Sequence, residues 1–246
     1  MKRLLSVFYT LVILLPASTA GWAADFQVGL DALNDKEYTT AFEEWEPLAE
    51  SGDAKAQFLL GAMYYDGQAV SQDYEEAAQW YKLAAEQGLA LAQHALGAMY
   101  EKGQGVPQDY NEALSWYQLA AKQNYVLAQH ALGVMYEKGQ GVPQDREEAV
   151  RWFKLASEQA YSSAQNNLGL MYYDGEGVPQ YYKEASKWLR RAAEHGTAGA
   201  QFLLGWMHYK GQGVLPDYKQ ASKWIRIAAN QGLAIAQANL GFMYLK

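Results

Sequence analysis

Apolar residues recur along this chain at helical spacing, and the pattern itself recurs every 36 residues. In the stretch from Leu89 to Asn124, Ala92, Leu96, Met99 and Tyr100 make one apolar stripe, which predicts a first helix over Ala90–Lys102. Ala113, Trp116, Tyr117 and Ala120 make a second stripe, which predicts a second helix opening after Asp109. Between the stripes, Gly103 reads as a left-handed C-cap, and Gly105, Val106 and Pro107 as the turn. Asp109 reads as an N-cap, with Glu112 three residues on completing a capping box; Asp73/Glu76 and Asp145/Glu148 repeat the pair. The unit is an antiparallel helical hairpin.

Gly97 sits inside the first predicted helix and recurs as Gly61, Gly133, Gly169, Gly205 and Gly241. A mid-helix glycine costs up to about 1 kcal/mol against alanine. Its six occurrences predict a close helix contact that admits no side chain. A fixed period of this length means stacked supersecondary units that bury a continuous core between neighbours.

The pattern A-x-A-Q-x-x-L-G-x-M-Y-x-x-G-x-G-V, followed by D-x-x-x-A-x-x-W-x-x-x-A, resembles the Sel-one-like repeat family of tetratricopeptide-type α-solenoids. The resemblance covers roughly residues 25 to 246. It implies an all-α fold, a right-handed α-solenoid of 36-residue antiparallel helical hairpins. Two positions depart from the pattern. Ala69 replaces a turn glycine in the first unit, and Tyr181 replaces the capping aspartate of the fourth.

Three regions follow. Residues 1–23 read as a signal peptide, with Lys2 and Arg3 before the apolar run Leu4 to Leu15 and small residues for cleavage after Ala20 or Ala23. Residues 24–52 read as N-terminal capping helices, including a short entry helix over Phe26 to Leu33. Residues 53–246 hold five full repeats and a terminal half unit. The leader's apolar run falls short of the roughly 20 residues a spanning helix needs. The expected location is periplasmic or secreted.

With no cysteine, the chain has no disulfide, thiol nucleophile or cysteine metal site, so packing alone must hold it. It carries 20 basic and 27 acidic residues, and losing Lys2 and Arg3 with the leader takes the net charge from −7 to −9. No sustained basic stripe is visible in the sequence, and nucleic acid is not an expected partner.

Residues that recur belong to the scaffold; residues that vary on one face are candidates for recognition. The tryptophans at 80, 116, 152, 188 and 224 recur in every unit and read as core, and Gln93 as a hydrogen bond between helices. Three variable positions share a face of each first helix. They read Phe58/Ala62/Tyr65, His94/Ala98/Glu101, His130/Val134/Glu137, Asn166/Leu170/Tyr173, Phe202/Trp206/Tyr209 and Ala238/Phe242/Leu245. The family resemblance places first helices on the concave surface. The expected binding groove is therefore Phe58, Tyr65, His94, Glu101, His130, Glu137, Tyr173, Phe202, Trp206 and Tyr209. Trp206 is the one tryptophan on a first helix of a repeat.

Catalytic chemistry finds little support. The chain has no S-x-x-K, S-D-N or K-T-G, so a β-lactamase label borne by some secreted relatives lacks its nucleophile machinery here. Two histidines and two carboxylates, His94, His130, Glu101 and Glu137, resemble a zinc donor set. Equivalent residues of adjacent repeats stand about a helix diameter apart, too far for one ion, and no metal or cofactor is assigned. The resulting expectation is an exported, non-catalytic scaffold that binds a protein or peptide in its groove. The alternative is a binder of cell-wall fragments or small molecules with hydrolase activity. The final first helix keeps apolar residues with no second helix to cover them, and Phe242 and Leu245 there are an expected homodimer interface.

Overall fold

The computed structural model describes residues 22–244, with side chains from Asp25 to Gly241. Most of the expected leader and Leu245 lie outside the described residues, as does the side chain of Phe242. All regular structure among the described residues is helical: α1 (Trp22–Asn34), α2 (Tyr38–Glu50), α3 (Ala54–Asp66), α4 (Tyr74–Glu86), α5 (Ala90–Lys102), α6 (Tyr110–Lys122) and α7 (Val126–Lys138). They continue with α8 (Arg146–Glu158), α9 (Ser162–Asp174), α10 (Tyr182–Glu194), α11 (Ala198–Lys210), α12 (Tyr218–Asn230) and α13 (Ala234–Tyr244). The predicted bounds of α5 match. The entry helix begins four residues earlier than the apolar pattern indicated, at Trp22.

The chain forms two compact units, one of Met1–Ala92 with Gln104–Val106 and one of Gln93–Gly103 with Pro107–Lys246. Within the first, α1 packs on α2, α2 on α3 and α3 on α4. Within the second, consecutive helices pack in the same hairpin order from α6 to α13.

Each hairpin closes over its mid-helix glycine. A Cβ on Gly97 would meet the Tyr117 ring at 2.9 Å, one on Gly133 the Phe153 ring at 2.6 Å, and one on Gly169 the Leu189 side chain at 2.7 Å. The predicted close contact is thus the crossing of a first helix with the second helix of its own hairpin.

The caps follow the sequence in part. Asp73 and Asp109 each accept two backbone N–H bonds from the first turn of the helix they open; Asp145 accepts one. The reciprocal half of the capping box does not form, because the backbone N–H that the glutamate would accept is engaged elsewhere. Asp109 N donates to Tyr100 O at 3.0 Å, Asp73 N to Tyr64 O at 2.9 Å and Asp145 N to Tyr136 O at 2.9 Å. Tyr181 keeps this bond, to Tyr172 O at 2.9 Å, which is why the fourth hairpin tolerates the loss of a capping side chain.

Turn glycines join one hairpin to the next. Gly141 has φ +70°, and a Cβ there would meet Tyr110 O at 2.5 Å; Gly105, Gly177 and Gly213 sit in the same way against Tyr74, Arg146 and Tyr182. The turn backbone rests on the first residue of the previous second helix. Ala69 adopts the same left-handed conformation at φ +63°, so the first repeat keeps the turn at a steric cost that glycine avoids.

Of the five recurring tryptophans expected in the core, Trp188 is buried, while Trp80, Trp116, Trp152 and Trp224 are half-buried. Trp188 packs into the cluster of Val150, Phe153 and Leu168, and Trp224 against that of Ala185, Leu189 and Leu204. Glutamines add a second recurring link. Gln87 donates to Gln57 Oε1 at 2.8 Å, Gln123 to Gln93 at 2.9 Å, Gln159 to Gln129 at 2.8 Å and Gln231 to Gln201 at 2.7 Å. The first-helix glutamine donates in turn to the preceding second helix, as Gln201 does to Ala193 O at 3.0 Å. One side chain thereby ties three helices together.

The fourth hairpin breaks this ladder. His195 stands where the other repeats carry the donating glutamine, and Gln165 Oε1 is left buried without a partner among the described residues. An unsatisfied buried acceptor costs about 1–3 kcal/mol. His195→Gln should therefore stabilise the protein by about 1 kcal/mol in chemical denaturation; unchanged stability would show that Gln165 finds its partner in water.

Candidate functional site

The predicted groove residues divide into three groups. In the first repeat, Phe58 is 4% exposed and packs on Tyr81 at 5.4 Å between ring centroids. Tyr65 is also buried, its ring on Tyr74 and its hydroxyl donating to Gln104 Oε1 at 2.8 Å. Both side chains face inward and offer little to a ligand.

The middle group is likewise absorbed by the hairpins. His94 lies against Tyr117 and Tyr125, each at 5.4 Å, and His130 against Phe153 at 5.6 Å and Tyr161 at 5.1 Å. Glu101 accepts the Tyr117 hydroxyl at 2.7 Å, and Glu137 is half-buried with its carboxyl pushed above the usual range by burial. Among the described residues no three His, Asp or Glu side chains converge as metal ligands would. Among the described residues His94 Nδ1 has no hydrogen-bond partner, and Asn167 Nδ2 lies 3.4 Å from His130 Nε2.

Burial holds both imidazoles down at about 4, with Lys102 and His130 adding smaller repulsion at His94. In the unfolded chain they titrate near the ordinary value of about 6.5. The folded pKa is the lower one, so the contribution is complete above about pH 6.5 and is lost as pH falls toward 4, where only the unfolded chain takes up protons. Phenylalanine fills the equivalent position at Phe58 and Phe202. His94→Phe/His130→Phe should flatten the fall in stability between pH 6.5 and 4; an unchanged slope would place the acid sensitivity elsewhere.

The third group forms a surface. Trp206 stacks on Tyr209 at 5.5 Å and 27°, and Tyr209 meets Tyr218 edge-on at 5.6 Å. The Trp206 side chain lies beside Tyr173, whose hydroxyl donates to Gln212 Oε1 at 3.1 Å and whose ring lies 5.2 Å from Tyr182. Lys210 Nζ sits 5.0 Å from the Trp206 ring centroid and 5.4 Å from that of Tyr209. Tyr173, Trp206 and Tyr209 are half-buried, while Tyr218 is 67% exposed. Phe202 turns inward beside Ile225 and Ala228. The result is an aromatic wall on α9 and α11, backed by the first turns of α10 and α12 and edged by a cation. It can stack on a planar or aliphatic group and attract a carboxylate.

Tyr182, Tyr218, Lys210 and Gln212 were not singled out in the sequence. They lie in turns or at helix ends, where the face rule for first helices does not reach.

The Sel1 repeat pattern matches this chain at residues 54–89, 90–125, 126–161, 162–197, 198–233 and 234–246. A Sel1 repeat protein from Oxalobacter formigenes is 35% identical, with a TM-score of 0.82 over 90% of each chain. A protective antigen present in uropathogenic Escherichia coli strains, displaying an SLR fold, is 34% identical with a TM-score of 0.88. That alignment covers 98% of this chain and 51% of the antigen, so this chain spans about half the antigen's length. A putative Sel1 repeat protein from Klebsiella pneumoniae, 22% identical, shares the fold at a TM-score of 0.52 over 82% of this chain and 99% of that one. No curated protein matches the chain. With repeats matched in unbroken register from residue 54 to residue 246, and hairpins closed over the same recurring glycine, the chain belongs to the Sel1 repeat family.

Proposed function

We propose that this protein is a non-catalytic scaffold that binds a protein or peptide segment, and that the aromatic wall around Trp206 is its recognition site. One observation carries the reading. The first-helix position held by Trp206 is Ala62, Ala98, Val134 and Leu170 in the preceding repeats, so the fold does not call for an indole there. Trp206 is nonetheless stacked on Tyr209, flanked by Lys210 and partly open to solvent. Tryptophan and tyrosine held rigidly at a surface are the residue types that dominate binding energy at interfaces. A peptide array and a glycan array probed with the same purified protein test the reading. Selective peptide capture supports it; capture of glycans alone favours a binder of cell-wall fragments.

The reading includes export. Residues 1–23 have the charge, apolar core and small residues of a secretory leader, and no helix among the described residues is long and apolar enough to cross a membrane. N-terminal sequencing of the protein from an envelope fraction should begin at Gly21 or Ala24. The reading also includes self-association through Phe242 and Leu245, expected from the sequence. Light scattering should give more than monomer mass for the wild type and monomer mass for Phe242→Asp/Leu245→Asp; a wild-type monomer removes the dimer.

A further inference from the structure

The second helices change charge along the chain. α2 carries Glu43, Glu44, Glu46 and Glu50 with no cation, whereas α12 carries Lys219, Lys223 and Arg226 with no carboxylate. α10 adds Lys183, Lys187 and Arg190 in register with those of α12, one 36-residue period earlier. All six are exposed. The linear sequence hides this grouping, because the cations are spaced by three or four residues within a helix and by a whole repeat between helices.

Nothing in the scaffold asks for these charges. The positions of Lys183, Lys187 and Arg190 are Glu75, Gln79 and Lys82 in the first repeat, Asn111, Ser115 and Gln118 in the second, and Glu147, Arg151 and Lys154 in the third, so no earlier repeat carries all three cations. Of the six, only Lys187 holds an ion pair among the described residues, with Glu184 at 3.0 Å. Packing of Trp224 against the Leu189 cluster couples α12 to α10. Arg191, at 4.7 Å from the Trp188 ring centroid, joins Lys183, Lys187 and Arg190 around an open hollow of about 730 Å³ bordered by the turn at Gly213; Glu184 and Glu194 also line it, so the cations outnumber the carboxylates there.

We propose that this face of α10 and α12 is a docking surface for an acidic polypeptide segment, separate from the aromatic wall on the first helices. Seven residues of helix place Lys183 and Arg190 about 10 Å apart along the axis, and neighbouring hairpins stand about 10 Å apart. A patch of that size matches three or four residues of extended chain, at about 3.3 Å each. A longer polyanion would run off it onto α8, where Glu147, Glu148 and Glu158 offset Arg146, Arg151 and Lys154 and Arg151 is paired with Glu148 at 2.7 Å, and against the net negative charge of the whole chain. Trp188 is 6% exposed beneath its cations and Trp224 is half-buried against the Leu189 cluster, so the face presents charge more than stacking planes for nucleic-acid bases.

Fluorescence anisotropy with a labelled hexaglutamate peptide tests this at low salt. The wild type should bind, more weakly as salt rises, and Lys187→Glu/Arg190→Glu/Lys223→Glu should bind at least about tenfold more weakly while keeping its circular dichroism and thermal midpoint. Trp206→Ala should bind hexaglutamate as the wild type does, which keeps this site distinct from the proposed groove. Absent wild-type binding, equal binding by the triple variant, or tighter binding of a single-stranded oligonucleotide or anionic vesicles would overturn the proposal and leave the Trp206 reading standing.

Discussion

Gly133→Val should lower the thermal midpoint by about 10 °C, while Gly241→Val, the same change at the same repeat position, should leave it unmoved or slightly raised. A Cβ at Gly133 meets the Phe153 ring at 2.6 Å, and that ring is fully buried. Neither helix can retreat without opening the crossing, so the added branch overpacks the hairpin by about 3 kcal/mol. In a chain of this size each kcal/mol moves the midpoint by about 2–4 °C. At Gly241 nothing lies within 4 Å of the added Cβ, and valine is the better helix former. The clash also has an identifiable partner. Phe153→Ala in the Gly133→Val background should recover part of the loss, with a coupling of at least about 1 kcal/mol in a double-mutant cycle. Equal midpoint shifts for Gly133→Val and Gly241→Val would mean that the recurring glycine serves something other than the crossing.

Trp206→Ala should weaken capture of an array-selected peptide by about 30-fold while shifting the thermal midpoint far less than Gly133→Val. A centrally placed tryptophan at an interface is worth about 2 kcal/mol or more, and 1.4 kcal/mol is a factor of ten. Stability should suffer little, because four other repeats fold around alanine, valine or leucine at this place and the Tyr173 hydroxyl keeps its bond to Gln212. Trp206→Leu, which copies Leu170, separates binding from folding: it should restore any lost stability and leave binding weak. Full binding by Trp206→Leu would assign the indole to packing and remove the aromatic wall as a recognition site.

Much of the fold was legible because one unit is written many times over. The bounds of α5, the role of the mid-helix glycine and the left-handed cap at Gly103 all follow from a period that averages out local accident. The capping box was misread for a reason the repeat alone cannot supply: the Asp109 N–H is claimed by Tyr100 O, a bond set by the hairpin turn. The groove stripe was read as a face, yet a face on a helix is not a surface. Phe58 and His94 share their register with Phe202 and lie close to the second helix, while the residues one turn on, Trp206 and Tyr209, reach solvent. The basic patch escaped because its cations gather only when two helices one repeat apart are laid side by side.

The turn glycines have a consequence for inheritance. Each joint places a backbone turn against the first residue of the previous hairpin's second helix, as Gly141 does on Tyr110 and Gly177 on Arg146, and backbone is the same in every copy. An in-frame duplication of one 36-residue segment therefore inserts a hairpin whose two joints already fit, and a deletion brings together two ends that already match. Chain length can then drift by whole repeats without new packing being invented, and each added copy arrives with its recognition positions free to diverge.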